Sequence, residues 1–125
     1  MPFSLDFDRE HNFVSLAFRM PDSLDQHNQA RLGILERIRL HNCHRILVDL
    51  SALNAPTSMS REEQFSFTQS WKGRDFSRCI FAVLLPEDQA VRDDWYFVIH
   101  FIREQGVEGQ AFSKRRDAIE WLVQY

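Results

Sequence analysis

Cysteine is scarce in this sequence: Cys43 and Cys79 are the only two in 125 residues. That is too few for a disulfide framework, and both are expected as reduced thiols in a cytoplasmic protein. Glycine is equally thin, with Gly33, Gly73, Gly106 and Gly109 scattered along the chain, so no glycine-rich loop is present to cradle a phosphate. An excess of basic charge is missing too. Fifteen Lys and Arg against eighteen Asp and Glu leave a net charge of −3, which argues against nucleic acid as a partner. No apolar run reaches the roughly eighteen residues of a spanning helix, and the opening Met1-Pro2-Phe3-Ser4-Leu5-Asp6 lacks the features of a signal peptide. No serine or cysteine sits in a recognisable nucleophile motif, and Asp93 and Asp94, adjacent on a helix, point about 100° apart rather than converging. The expectation is a non-enzymatic protein without a cofactor.

What the chain does have is an ordinary globular balance, 44% hydrophobic and 26% charged, which excludes disorder and fits one domain over residues 1–125. Eleven phenylalanines stand out. Phe3, Leu5 and Phe7 alternate with polar residues, and after a polar break at residues 9–12 the alternation resumes through Val14, Leu16 and Phe18. Two such runs predict an antiparallel hairpin. Ser23 followed by Gln26 reads as a capping box, opening a helix whose apolar stripe is Ala30, Ile34, Leu35 and Ile38 and which ends near Asn42.

Ile46 to Leu50 and Ile80 to Leu85 are nearly continuous apolar runs, the pattern of strands buried on both faces. Between them Ser60-Arg61-Glu62-Glu63 is a second capping box, starting a helix with Phe67 and Trp71 at i,i+4. A third helix is predicted from about Asp88 to Gln105, closed by Gly106. A short strand near Gln110 to Phe112 follows, then a last helix capped by Ser113 and carrying Ile119, Leu122 and Val123. The order β-β-α-β-α-β-α-β-α predicts an α/β fold: a mixed sheet of about five strands, the first two antiparallel, covered by about four helices.

Two stretches carry a family resemblance. Arg45-Ile46-Leu47-Val48-Asp49-Leu50-Ser51 is similar to the third-strand signature of STAS domains. Ala111-Phe112 followed by Asp117-Ala118-Ile119-Glu120-Trp121-Leu122 resembles the strand-and-helix ending of the SpoIIAA-like branch of that fold. The element order is also similar to that of Sec14-type lipid-binding domains. The resemblance implies a binding or regulatory module, and in its antagonist-type members a phosphorylated serine within Asp-Ser-Ser-Gly-Leu. Counted without gaps from Asp49, that Asp-Ser falls on Thr57-Ser58 here. The Asp is absent and Met59-Ser60 replaces the following Ser-Gly, so Ser58 is not expected to be a phosphosite of the antagonist kind.

Three clusters invite a chemical reading. Thr57, Ser58 and Ser60 precede a helix, where free N–H groups favour an anion. Lys114, Arg115 and Arg116 open the last helix, at the same carboxyl edge of a parallel sheet, so an anionic group could sit between the two sets. The plain alternative is a capping Ser60 and solvated charges. His41-Asn42-Cys43-His44 holds three metal-ligand types, but a helix end splays them and no second cluster completes a site, so no metal is expected.

The third helix carries the strongest signal. Seven of the eight residues from Trp95 to Ile102 are apolar or aromatic. Val91, Trp95, Val98, Ile99 and Ile102 form the stripe that should pack on the sheet. Tyr96, Phe97, His100 and Phe101 fall on the other side, where a helix would normally be polar. Such a surface marks a partner, membrane or ligand site, unless the Phe67 and Trp71 helix folds over it, and His100 then needs a hydrogen-bond partner. The leading expectation is a module that binds a protein partner or an apolar or amphiphilic molecule, with a homodimer or peripheral membrane association among the forms it can take. The alternative is a phospho-regulated switch like the anti-sigma-factor antagonists.

Overall fold

The computed structural model describes residues 3–19, 23–53, 59–69, 76 and 78–125. Strands β1 (Phe3–Asp8) and β2 (Phe13–Phe18) form the expected hairpin, with Phe3 opposite Phe18 and Asp8 opposite Phe13. Its turn closes with Asn12 at φ 58° and with the Asp8 carboxylate accepting the His11 N–H at 2.9 Å. Helix α1 (Leu24–His41) starts in the Ser23–Gln26 capping box and stops at Asn42 in the left-handed region. The remainder alternates strictly: β3 (Arg45–Asp49), α2 (Arg61–Gln69), β4 (Ile80–Leu84), α3 (Gln89–Glu104), β5 (Glu108–Phe112) and α4 (Arg115–Leu122).

The five strands lie in the order β1-β2-β3-β4-β5, β1 against β2 antiparallel and every later pair parallel. This is the predicted mixed sheet with four helices. One boundary moves: β5 begins at Glu108, two residues before the expected Gln110. Glu108 and Gly109 have little strand propensity of their own, and it is their pairing with Ile80 and Phe81 of β4 that extends the strand.

A strand order that steps in one direction has a consequence for the helices. Right-handed crossovers taken successively in that direction place their helices on the same face. Residues of α1, α2 and α3 accordingly share one core with Val14, Leu16, Phe18, Ile46, Val48, Phe81 and Val83. Helix α4 covers the opposite face, where Ala118 and Leu122 pack on Phe13, Leu47 and Ala82. The apolar runs of β3 and β4 are thereby buried on both sides, as their lack of alternation requires. Cys43 and Cys79 are both free and buried.

Helix α3 ends where the sequence says it must. Gly106 sits at φ 87° and its N–H donates to the Arg103 carbonyl at 3.0 Å. A Cβ at that φ strains the backbone, so Gly106→Ala should lower stability by about 1 kcal/mol. The measurement is the urea midpoint, which should fall with an unchanged slope.

Candidate functional site

The Ser23 capping box sets the phase of α1, and with it which side chains meet the sheet. Spacings of three and four residues place His27, Ala30, Ile34 and Ile38 inward, and all four are buried. His27, 3% exposed, stands among three aromatic rings from three other elements. Its centroid lies 4.5 Å from Phe18 of β2, 4.8 Å from Phe67 of α2 and 5.1 Å from Trp95 of α3.

Beside this cluster is a cavity of about 40 Å³. Its floor is the sheet, where Gly109 of β5 stands opposite Phe81 of β4 and leaves open the space a side chain would take. Its walls are apolar or aromatic except where Arg31 of α1 and Arg103 of α3 reach it. Two donors of the lining residues are buried without an acceptor among the described residues: the Trp95 indole Nε1 and the Arg31 Nε. An unpaired buried donor costs on the order of 1–3 kcal/mol, so such a pair at one cavity is a chemical feature, not a packing detail.

The outer side of α3 is organised by α2. The Arg61 guanidinium lies 4.3 Å above the Phe97 ring and 3.7 Å from the Asp94 carboxylate. Phe65 meets Phe101 edge-on at 5.8 Å, and Phe97 contacts Phe101 at 4.7 Å. Phe97 and Phe101 are therefore half-buried, while Tyr96 and Phe65 remain 47% and 49% exposed. His100 is exposed and has its partner in Glu104, 3.2 Å away. Phe67 does not cover this patch. It turns inward, 3% exposed, and forms part of the cavity wall. Trp71 lies outside the described residues.

At the carboxyl edge most polar groups already have partners. The Ser60 hydroxyl accepts the Glu63 N–H and the Glu63 carboxylate accepts the Ser60 N–H, each at 3.1 Å, so Ser60 caps α2. Thr57 and Ser58 lie outside the described residues. Arg115 pairs with Asp49 at 3.3 Å and Arg116 with Glu120 at 3.1 Å; Lys114 is exposed. Asp49 also accepts the Ser51 N–H and hydroxyl. The expected cap of α4 is corrected: Lys114, not Ser113, holds the cap position, without a side-chain bond. The Ser113 hydroxyl instead accepts from Arg92 at 3.0 Å, which outcompetes a cap because a guanidinium is the stronger donor. An open cleft of about 350 Å³ lies here between Ser51, Leu53, Leu85, Asp88 and Ser113.

At the opposite edge, His41 stacks flat on Phe7 at 3.8 Å, while the Cys43 thiol donates to the Asn12 carbonyl at 3.2 Å. The His41 and Cys43 side chains are thus drawn to different neighbours. Among the described residues no helix is long and apolar enough to cross a membrane. No family model matches the chain, and no curated protein matches it.

Sequence reasoning passed over His27, Arg31 and Gly109. The signal for His27 was present, since it stands three residues before Ala30 on the stripe, but a polar residue is not counted in an apolar pattern. Ser60 supplies a test of the carboxyl edge. Ser60→Ala should cost about 1 kcal/mol by loss of the cap, read as a lower thermal midpoint, and the loss should be the same in phosphate as in an uncharged buffer if capping is its whole role.

Proposed function

We propose that this domain is a non-enzymatic, cytoplasmic binding module of the SpoIIAA-like type that takes a small apolar or amphiphilic molecule into the cavity between the sheet and helices α1, α2 and α3. The observation that supports it is an apolar cavity whose lining residues include Trp95 and Arg31, each with a buried N–H donor that has no acceptor among the described residues. Binding sites for small molecules have this make-up, a mainly apolar wall with a few fixed polar groups. The third helix contributes through its inner residues Trp95, Ile99 and Ile102, more than through the outward set Tyr96, Phe97, His100 and Phe101.

Gly109 makes the reading testable. A Cβ there would meet the Phe81 carbonyl oxygen at 3.7 Å and the Phe81 Cβ at 3.8 Å, both ordinary contacts. Gly109→Leu should therefore fold and fill the cavity. In a titration with hexanol, the Trp95 indole N–H resonance of the wild-type protein should shift saturably, and that of Gly109→Leu should not. An unmoved wild-type resonance, or equal shifts in both proteins, refutes the proposal.

A second reading rests on the exposure of Phe65 and Tyr96, side chains of neighbouring helices, the first of which packs edge-on against Phe101. In that reading the patch docks a protein partner, a second copy of the chain or a membrane surface. Replacing both with serine should then abolish self-association in sedimentation or binding to liposomes, with the hexanol titration unchanged.

A further inference from the structure

We infer that the cavity selects a short monocarboxylate, whose head group is received by Arg31 and Trp95. This rests on the proposal that the cavity binds a small molecule, and it adds which chemical class the cavity takes. The starting point is the mismatch between wall and donors. A hydrocarbon would satisfy the apolar lining from Phe18, Phe67, Val83 and Ile99 and supply nothing to the Trp95 Nε1–H and Arg31 Nε–H, which have no acceptor among the described residues. Only a molecule with acceptor oxygens removes that penalty.

The charge of the lining decides between a neutral and an anionic head. Among the described residues, those around the cavity include two arginines, Arg31 and Arg103, and no aspartate or glutamate. That is a local reversal in a chain whose net charge is −3. A carboxylate accepting from a guanidinium forms a charge-assisted bond, roughly twice as strong as a neutral one. Its second oxygen can accept from the indole N–H. A carboxylate is planar and presents about four acceptor positions, so two donors from different helices can both be met by one group.

Volume limits the rest of the molecule. At about 40 Å³ the cavity has room for roughly three waters by the usual allowance of about 10–15 Å³ each, or for a carboxylate with one or two carbons. A longer body must continue past Ile102 and Arg103, where the wall is only partly buried or exposed. The fitting class is therefore a short linear acid. The same head and body occur in a free acid and at the end of a longer acyl chain.

The test compares matched ligands on the full chain: butanoate, hexanoate and octanoate against butanol, hexanol and octanol, by calorimetry and by the Trp95 indole resonance. Hexanoate should bind at least about tenfold more tightly than hexanol, the scale of one charge-assisted hydrogen bond. In Arg31→Gln, and in Arg31→Met should the first variant prove poorly folded by circular dichroism, that ratio should collapse towards unity. Affinity that falls from butanoate to octanoate marks a free short acid, and affinity that keeps rising marks the end of a longer chain. Equal affinity for acid and alcohol, with both lost in Gly109→Leu, overturns the head-group inference and leaves the cavity proposal standing. A carboxylate preference that survives both Arg31 variants also overturns it. Should neither series bind, or should Gly109→Leu bind them as the wild type does, the cavity proposal itself fails and takes this inference with it.

Discussion

Everything on the three-helix side of this domain depends on the one-directional order of its sheet. Because each parallel crossover steps the same way, α1, α2 and α3 have no choice but to share one face, leaving the other to the short α4. Three helices over one sheet face meet each other as well as the strands, and they must fit along lines where three curved surfaces converge. Close packing is hardest to achieve at such a junction. His27, Phe67 and Trp95, one from each of the three helices, mark it. The cavity lies there, over the strand position that has no side chain.

The local chemistry of the chain made this architecture readable in advance. Continuous apolar runs at 46–50 and 80–85 meant burial on both sides, and the two-sided cores around Ile46/Leu47 and Phe81/Ala82 realise it. The capping boxes at Ser23 and Ser60 and the terminating Gly106 depend only on residues within a helical turn, so they survive translation into structure unchanged. The Ser113 cap did not survive, because its competitor, Arg92, comes from 21 residues away. The cavity was illegible for a related reason. Its floor is an absence, Gly109; its donors, Arg31 and Trp95, belong to helices 64 positions apart in the sequence (95 − 31), and their lack of an acceptor exists only once the surroundings are assembled. Phe67 illustrates the same limit. Its i,i+4 spacing from Trp71 suggested a lid for the outer patch, but the rotation of α2 that puts Phe65 on Phe101 turns Phe67 to the core.

The way α2 is held follows from this division of its two faces. Arg61 stacks on Phe97 and pairs with Asp94, so the first turn of the helix is fastened to α3 by a cation over a ring and by an ion pair. Both contacts are at the surface, where an ion pair contributes about 0–1 kcal/mol and a cation over a ring about 0.5–1 kcal/mol. Phe67, buried, contributes more: about 1.5–3 kcal/mol for removing such a side chain from water. The inward face of α2 therefore sets its stability, and its outward face sets its angle. Under the proposed function, a ligand touching Phe67 acts on the stronger of these two attachments.

The carboxyl edge and the interior cavity differ in what they leave unfinished. At the edge the cations Arg92 and Arg115 are occupied by Ser113, the Pro86 carbonyl and Asp49, and Ser60 is occupied by its own helix. An incoming anion there must break existing bonds, in water, for bonds of equal kind, and the net change is small. Inside, the Trp95 Nε1 and Arg31 Nε have no acceptor among the described residues, and an acceptor that reaches them displaces none of the bonds seen there. Burial raises the value of that bond at Trp95, 5% exposed, since the surroundings screen it little. The same polar groups that make the edge look like a binding surface are the ones that stabilise the native chain. The proposed site is the one where folding leaves two buried donors without acceptors among the described residues.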